Sequence, residues 1–304
     1  SYREFMFKKS IFLLFILLTG FQLSAHPYRI SYLTAEDGLS RNFIDHIFRD
    51  SRGFMWFSTS KGLDRYDGYE FIHFDSRHAV NPLVSDNVHC VSEDVHGNLW
   101  IGTENGLYFL NYTSGKITNA PVKLKSRLSA LSGSINFIIP DEQKNLWIGS
   151  NNSILLISFV NNEPQIQEVY SSVIPIGSLL IYEENILVGA GNEIFRLIKK
   201  EGGTYQRVNA GDRLKQLAGT VLKMYYDNGL IWIGTNTGLY KYEPTTERIQ
   251  SYKANGAPGQ LSSDFITDIA KIRDGQLMVG TLIGLNTYDY LTDKFTVITS
   301  EPDG

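Results

Sequence analysis

Few side chains in this 304-residue sequence have a type and spacing that could do chemistry. The single cysteine, Cys90, excludes an internal disulfide and a multi-cysteine metal site, and we interpret it as a small buried residue. The histidines have no recognisable metal-ligand spacing, so no metal site and no cofactor are expected. No histidine is followed by an acidic residue, as the phosphoacceptor box of a kinase requires. The six are His26, His46, His73, His78, His89 and His96.

Acidic residues near glycines suggest two further chemistries. Asp50–Gly53 and Asp67-Gly68 could begin calcium loops, but they lack the remaining oxygen ligands of such a loop, so turns are the better interpretation. The segment Ser92–Trp100 resembles the Asp-box of sialidases, except that two residues rather than one separate Asp94 from Gly97. An ordinary glycosidase also needs two carboxylates at a defined separation, and no such pair is evident. We therefore expect no enzyme activity in this chain and no catalytic residues.

The tryptophans invite a different interpretation, because an indole can stack on a sugar ring. Their recurrence at the same place in a repeated unit favours a structural core instead, since each sheet must fill the gap to its neighbour. The unit is marked by a hydrophobic-x-small triplet that recurs at intervals of 40 to 47 residues, in the range of four-stranded propeller blades. The triplets are Trp56-Phe57-Ser58, Trp100-Ile101-Gly102, Trp147-Ile148-Gly149, Leu187-Val188-Gly189, Trp232-Ile233-Gly234 and Met278-Val279-Gly280.

Turn signals at fixed offsets define the strands around each triplet. Four residues after the triplet comes a second anchor, and the short link predicts a tight hairpin whose glycine has positive φ, as in Thr103–Gly106 and Thr235–Gly238. Asp94–Gly97 marks the turn before the triplet. Apolar residues three apart, such as Val88 and Val91, precede that turn and predict an inner strand with irregular alternation.

A fourth strand closes each unit, as at Phe71–Phe74, Tyr205–Val208 and Phe295–Ile298. The sequence therefore predicts an all-β propeller of four-stranded antiparallel blades, with six blades present. The fourth blade, around Leu187, is the weakest copy.

Composition agrees with an ordered, core-forming protein. Hydrophobic residues make up 42% of the chain and charged residues 20%. The net charge is -4, and no segment concentrates Lys and Arg, so direct contact with nucleic acid is not expected.

The amino terminus resembles an export signal. Met6 precedes two lysines, the apolar run Ile11–Leu18 and a small residue at Ala25. We predict a signal peptide over residues 1–25, with 1–5 as upstream read-through, and residues 26–304 as the propeller. An uncleaved anchor is the alternative, but the run is short for a membrane span. Export implies a periplasmic protein.

One predicted strand, Tyr28–Leu33, belongs to no complete unit. Such a strand can complete the last blade of a closed ring, so we expect part of a seventh blade and a propeller truncated before that blade is complete. The sequence around Asp303-Gly304 matches that around Asp37-Gly38, just before the next inner strand would begin. A closed ring of six blades is the alternative.

The run from Leu39-Ser40 through Asp50, Trp56 and Arg65-Tyr66-Asp67-Gly68 to Phe71 resembles the two-component regulator propeller. This is the periplasmic sensor region of hybrid two-component system histidine kinases. The resemblance implies recognition of an oligosaccharide, a homodimer formed by the full ectodomain, and control of polysaccharide-utilisation genes. It also implies an inner-membrane tether, a kinase and a DNA-binding region, which would lie beyond residue 304.

If the chain senses a glycan, we expect contacts from loops at one rim. The candidates are Arg41, Asn42, Lys61, Asn105 and Asn236, although turn chemistry alone also explains these residues. Two other functions stay open: a secreted glycan-active enzyme, either a glycosidase or a lyase, and a protein-binding module.

Overall fold

The computed structural model describes residues 32–78, 82–120 and 133–298. It contains six four-stranded antiparallel sheets, each with its strands in chain order, which confirms the predicted six-bladed all-β propeller. Two short 3-10 helices span Ala35–Asp37 and Asp212–Gln216. Among the described residues, no helix is long and apolar enough to cross a membrane. The predicted signal peptide lies outside the described residues, as do residues 28–31 of the extra strand Tyr28–Leu33, and Tyr32 and Leu33 are not in a strand.

In every blade the chain runs from the innermost strand to the outermost strand. Blade 1 has β1 His46–Arg49, β2 Met55–Thr59, β3 Gly62–Tyr66 and β4 Phe71–Phe74; blade 2 has β5 Val88–Glu93, β6 Leu99–Thr103, β7 Gly106–Asn111 and β8 Lys116–Asn119; blade 3 has β9 Ile135–Pro140, β10 Leu146–Ser150, β11 Ser153–Val160 and β12 Glu163–Ser171. Blade 4 has β13 Ile176–Tyr182, β14 Asn185–Ala190, β15 Glu193–Lys199 and β16 Tyr205–Asn209; blade 5 has β17 Val221–Asp227, β18 Leu230–Thr235, β19 Gly238–Glu243 and β20 Arg248–Tyr252; blade 6 has β21 Ile266–Arg273, β22 Gln276–Thr281, β23 Gly284–Asp289 and β24 Lys294–Ile298.

The tight turn between the second and third strands is held by a buried threonine. In blade 2, Thr103 Oγ1 donates to the carbonyl oxygen of Gly106 at 2.9 Å and accepts the N–H of Asn105 at 3.2 Å. Blades 1, 5 and 6 repeat the first bond at 2.9 to 3.0 Å. Gly106 has φ 123°, as predicted, but Gly284 in blade 6 lies outside the left-handed region. Blades 1, 2, 5 and 6 therefore share the threonine bond, whereas Ser150 and Ala190 take its place in blades 3 and 4.

In blades 2, 4 and 5 the glycine of the triplet makes room for the next blade. A Cβ on Gly102 would lie 2.7 Å from Ile135 Cγ2 of blade 3, and one on Gly234 would lie 2.6 Å from Ile266 Cγ2 of blade 6. Such distances are far inside van der Waals contact. The glycine thus lets successive inner strands pack closely around the axis.

Inner strands carry a bulge that accounts for their irregular pattern. In β5, Val88 pairs with Thr103 and Cys90 pairs with Gly102, so the intervening His89 has no partner. One extra residue turns the usual period of two into three, and Val88 and Val91 therefore face the same neighbouring blade, each fully buried. The irregular alternation predicted for the inner strand is therefore explained by this bulge.

Five apolar clusters join the blades in succession, from blade 1 with blade 2 to blade 5 with blade 6. Each cluster contains the first triplet residue of one blade and the inner strand of the next. Among the described residues no such cluster joins blade 6 to blade 1. Leu285 of blade 6 is 36% exposed, whereas Leu239, at the same position in blade 5, is fully buried. Likewise, Ile47 of blade 1 is 54% exposed and its equivalent Val91 is fully buried. Within the described residues, the facing sides of blades 6 and 1 are therefore more exposed than the corresponding sides of the other blades.

Candidate functional site

One rim of the propeller carries both the tight turns and the loops leading into the inner strands. The first and second strands of a blade are antiparallel, so the start of one lies beside the end of the other. Backbone bonds tie the two parts together: Glu104 N donates to Asn87 O at 3.0 Å, and Asn236 N donates to Thr220 O at 3.2 Å. We call this end of the molecule the turn rim. It brings together the two loop types from which ligand contacts are expected.

All five candidate residues lie in loops of the turn rim, but on three different blades. Arg41, Asn42 and Lys61 belong to blade 1, Asn105 to the adjacent blade 2, and Asn236 to blade 5. All five residues are exposed. A single small ligand could therefore reach the candidates of blades 1 and 2 together more readily than those of blades 1 and 5.

Two of these candidates already have structural partners. Asn236 Oδ1 accepts the N–H of Thr220 at 2.8 Å, and Asn42 Oδ1 accepts the N–H of Ala35 at 2.7 Å. Lys61 and Asn105 contribute only their backbone N–H groups to the threonine turn. Turn chemistry thus explains the asparagine side chains at 42 and 236, and ligand binding by any of the five stays a prediction.

A buried carboxylate next to the turn rim was missed by sequence reasoning. Asp64, fully buried, accepts the N–H of Ser40 at 2.8 Å and the hydroxyl of Ser40 at 2.7 Å. Its other oxygen lies 2.7 Å from His73 Nδ1. The carboxylate of Asp64 lies between the serine and the histidine. Nucleophilic catalysis needs an imidazole bonded to the hydroxyl, so that it can remove the proton, and this arrangement does not provide that bond.

Blade 6 shows that this arrangement is structural. There Asn286, also fully buried, accepts the N–H of Ser262 at 3.0 Å. Leu39-Ser40 and Leu261-Ser262 are therefore the same element, held once by a carboxylate and once by a neutral amide. The repeated Leu-Ser pair, visible in the sequence, is the signal that could have located Asp64.

The tryptophans are core residues and not a sugar platform, as predicted. Trp56 and Trp100 are fully buried. Their indole N–H groups donate to the turn carboxylates of Asp50 at 2.8 Å and Asp94 at 3.0 Å. The same Asp94 accepts the N–H groups of His96 and Asn98 in its turn. The Asp-box-like segment and the supposed calcium loop at Asp50 are therefore turns that anchor an indole.

A sequence profile described as Two component regulator propeller matches residues 38–61 and 82–105. These ranges hold the Leu-Ser pair, the Asp turn, the triplet and the threonine turn of blade 1, and the corresponding elements of blade 2. Blades 1 and 2 therefore each match the two-component regulator propeller repeat. The resemblance inferred from the sequence is thereby confirmed.

Solved structures with the same fold as this chain include two extracellular domains from B. thetaiotaomicron, each assigned to a hybrid two-component system. BT3049 is 23% identical, with a TM-score of 0.70 over 91% of this chain and 37% of its own. BT4673 is 19% identical, with a TM-score of 0.70 over 91% of this chain and 39% of its own. PorZ of Porphyromonas gingivalis, a surface component of the type-IX secretion system, is 16% identical, with a TM-score of 0.61 over 86% of this chain and 39% of its own.

The chain thus spans about two fifths of the length of these structures. A search of curated protein sequences finds no match.

The remaining reactive groups of this propeller have ordinary structural surroundings. In the described ranges, no three or more His, Cys, Asp or Glu side chains are grouped so as to hold a metal ion. Cys90 is buried, and burial raises the pKa of its thiol, so the reactive thiolate is disfavoured. His78 stacks on Phe74, and His96 packs edge-on against Phe159. None of these groups forms part of a reactive constellation.

Proposed function

We propose that this two-component regulator propeller is the ligand-sensing, extracytoplasmic part of a hybrid histidine kinase. It would recognise an oligosaccharide and signal across the membrane to control polysaccharide-utilisation genes. The observation that carries the proposal is the repeat match, in a chain whose fold is that of extracellular domains from hybrid two-component systems. The parent protein would lie in the inner membrane with this propeller in the periplasm.

The proposed role is recognition without catalysis. It is supported by the contacts of the acidic groups described above: Asp64 is bound to Ser40 and His73, while Asp50 and Asp94 are bound to indoles and turn amides. Carboxylates held in this way are not disposed as an acid and base pair across a substrate. Kinase activity would belong to another part of the parent protein.

The turn rim is the proposed ligand surface, with Arg41, Lys61 and Asn105 as its exposed polar side chains. To test this, the intact protein is titrated with a panel of neutral and acidic oligosaccharides by isothermal calorimetry. We expect one oligosaccharide class to bind, and Arg41→Ala and Lys61→Ala to weaken that binding. The control is Lys116→Ala, an exposed lysine on the outer strand β8. Unchanged affinity in both rim variants would reject the turn rim, and the absence of any binding oligosaccharide would reject glycan sensing.

We further propose that a seventh unit covers the facing sides of blades 6 and 1. Support comes from the exposed Leu285 and Ile47, whose equivalents in other blades are buried. The intact protein is expected to be a homodimer tethered by a membrane segment beyond residue 304. Light scattering of the purified intact protein measures the dimer, and protease access in spheroplasts measures the periplasmic location. A monomer, or a propeller protected from protease in spheroplasts, would contradict these expectations.

A further inference from the structure

The bulge of β5 recurs at the same register in four other inner strands. In each case the residue opposite the end of the second strand is followed by one unpaired residue, and pairing resumes opposite the small residue of the triplet. In blade 1, Asp45 takes this place, and its N–H donates to Ser58 O at 2.9 Å just before β1 begins. The bulge residues are Asp45, His89, Asn136, Gly177, Leu222 and Thr267.

Bulge residues depart from the alternation that sends their neighbours into the blade junctions. Ile266 is buried in the junction with blade 5, whereas the next residue, Thr267, is exposed. Asn136 is likewise exposed after the buried Ile135. The bulge residues lie on the innermost strands, beside the axis, at the end of each strand that meets the turn rim. The charges of Asp45 and His89, on adjacent blades, interact: burial raises the pKa of Asp45 and His89 partly opposes this.

A second layer of polar groups follows directly after the bulges. Lys223 Nζ of blade 5 lies 2.6 Å from Asp268 Oδ1 of blade 6. Both charges also act on His46 of blade 1. Burial and Lys223 lower the pKa of His46, and Asp268 partly opposes this. Three blades therefore bring charged or titratable groups together around the axis, and Lys223 and Asp268 remain partly accessible.

We propose that an axial cluster, defined as Asp45, His89, Asn136, Lys223, Thr267 and Asp268, binds a neutral, hydroxyl-rich saccharide at the mouth of the axis on the turn rim. The cluster combines carboxylate and amide acceptors with ammonium, imidazole, amide and hydroxyl donors, the mixture that pairs with sugar hydroxyls. Two carboxylates beside one lysine leave no positive excess to select an acidic sugar. The inference rests on the proposed function and locates its ligand.

The test uses the intact protein and a panel of neutral and acidic di- to tetrasaccharides, with binding measured by calorimetry. Asp45→Asn removes a charged acceptor and is expected to weaken binding by about tenfold or more, while Thr267→Val is expected to weaken it by about threefold to tenfold. The matched controls are Asp274→Asn, in the turn before β22, and Thr296→Val, on the outer strand β24. Both controls are exposed, Asp274 at the end of β21 away from the turn rim and Thr296 on the outermost strand, and they are expected to bind within twofold of the parent. Melting curves of all four variants establish that each is folded.

The outcomes separate the two proposals. Binding that is weakened by the axial variants and not by their controls supports the axial cluster. A neutral saccharide that binds equally to parent and axial variants overturns the axial cluster and leaves glycan sensing intact. Binding confined to acidic saccharides also overturns it. If no saccharide binds the folded parent protein, both the axial cluster and the proposed function are wrong.

Discussion

Alanine variants of two leucines at the same position of the repeat test whether the junction between blades 6 and 1 is uncovered, through their effects on the free energy of unfolding. Leu239 of blade 5 is fully buried against the inner strand of blade 6, and Leu285 of blade 6 is 36% exposed. Truncating a buried leucine to alanine loses the transfer free energy of its atoms and leaves a cavity, at a cost of about 2–5 kcal/mol. We therefore expect Leu239→Ala to lower the free energy of unfolding by about 3 kcal/mol.

Leu285→Ala should cost much less in the 304-residue chain. Full burial of a leucine side chain contributes about 1.5–3 kcal/mol, and a third of that contribution is absent where a third of the side chain is exposed. Water replaces the removed atoms on an open face, so no cavity term is added. We expect a loss of about 1–2 kcal/mol, smaller than the loss of about 3 kcal/mol expected for Leu239→Ala. Urea unfolding followed by tryptophan fluorescence measures both values.

In the intact protein the same pair of variants reports on the proposed seventh unit. If a seventh unit packs on blade 6, Leu285 becomes buried there and Leu285→Ala should cost about as much as Leu239→Ala. Equal costs already in the 304-residue chain would refute the uncovered face. A small cost for Leu285→Ala in the intact protein would refute the seventh unit.

Three further changes test the contacts that build the blades. Gly149→Ala places a Cβ 2.1 Å from the Phe137 ring and should destabilise by about 1–3 kcal/mol in denaturant unfolding, whereas Gly133→Ala, whose nearest neighbour is 4.0 Å away, should change stability by under about 0.5 kcal/mol; equal effects would contradict the close approach. Asp64→Asn should cost less than about 1 kcal/mol, because Asn286 fills the same role in blade 6, and Asp64→Leu should cost about 1–3 kcal/mol by leaving the Ser40 N–H without an acceptor. A large loss in Asp64→Asn would mean that the charge itself is required. Burial acts to raise the pKa of Asp293, but bonds from Tyr252, Tyr288 and Lys241 hold it well below its usual value, so this carboxylate stabilises the fold at neutral pH and loses that contribution on acidification. The stability difference between parent and Asp293→Asn should therefore be full at pH 7 and shrink below about pH 4, and a difference independent of pH would contradict this assignment.

Local patterns in the sequence predict the blades because each blade is a local structure. The triplet, the threonine turn and the Asp turn all connect residues within one unit, and most copies repeat the same chemistry, the threonine turn in blades 1, 2, 5 and 6. The three-residue spacing of Val88 and Val91 results from the bulge in β5. The spacing is visible in the sequence, but only the strand register identifies the bulge.

Local sequence patterns do not predict the contacts between blades, because the two partners are far apart in the chain and follow no fixed local spacing. Asp50 holds its own Trp56 indole, which a local pattern can suggest, but it also accepts the hydroxyl of Tyr112 from blade 2. In blade 5 the corresponding indole of Trp232 reaches its carboxylate only through Tyr290 of blade 6. Burial raises the pKa of both tyrosine hydroxyls, and each remains a neutral donor to its carboxylate. The axial cluster is of the same kind, since it draws its members from separate blades.

Residues of the turn rim fall into two classes that a sequence pattern does not separate. The side chain of Asn236 accepts the N–H of Thr220 at 2.8 Å and so fastens the tight turn to the loop before β17, whereas Lys61 supplies only its backbone N–H to the turn. Asn236→Ala should therefore lower the free energy of unfolding by about 1 kcal/mol or more, because it leaves a backbone donor without its partner, and Lys61→Ala should leave stability unchanged within about 0.5 kcal/mol. Any effect of Lys61→Ala on saccharide affinity then reports a contact with the ligand. An effect of Asn236→Ala has to be compared with its loss of stability, and a stable Asn236→Ala variant would show that its bond to Thr220 contributes little to the rim.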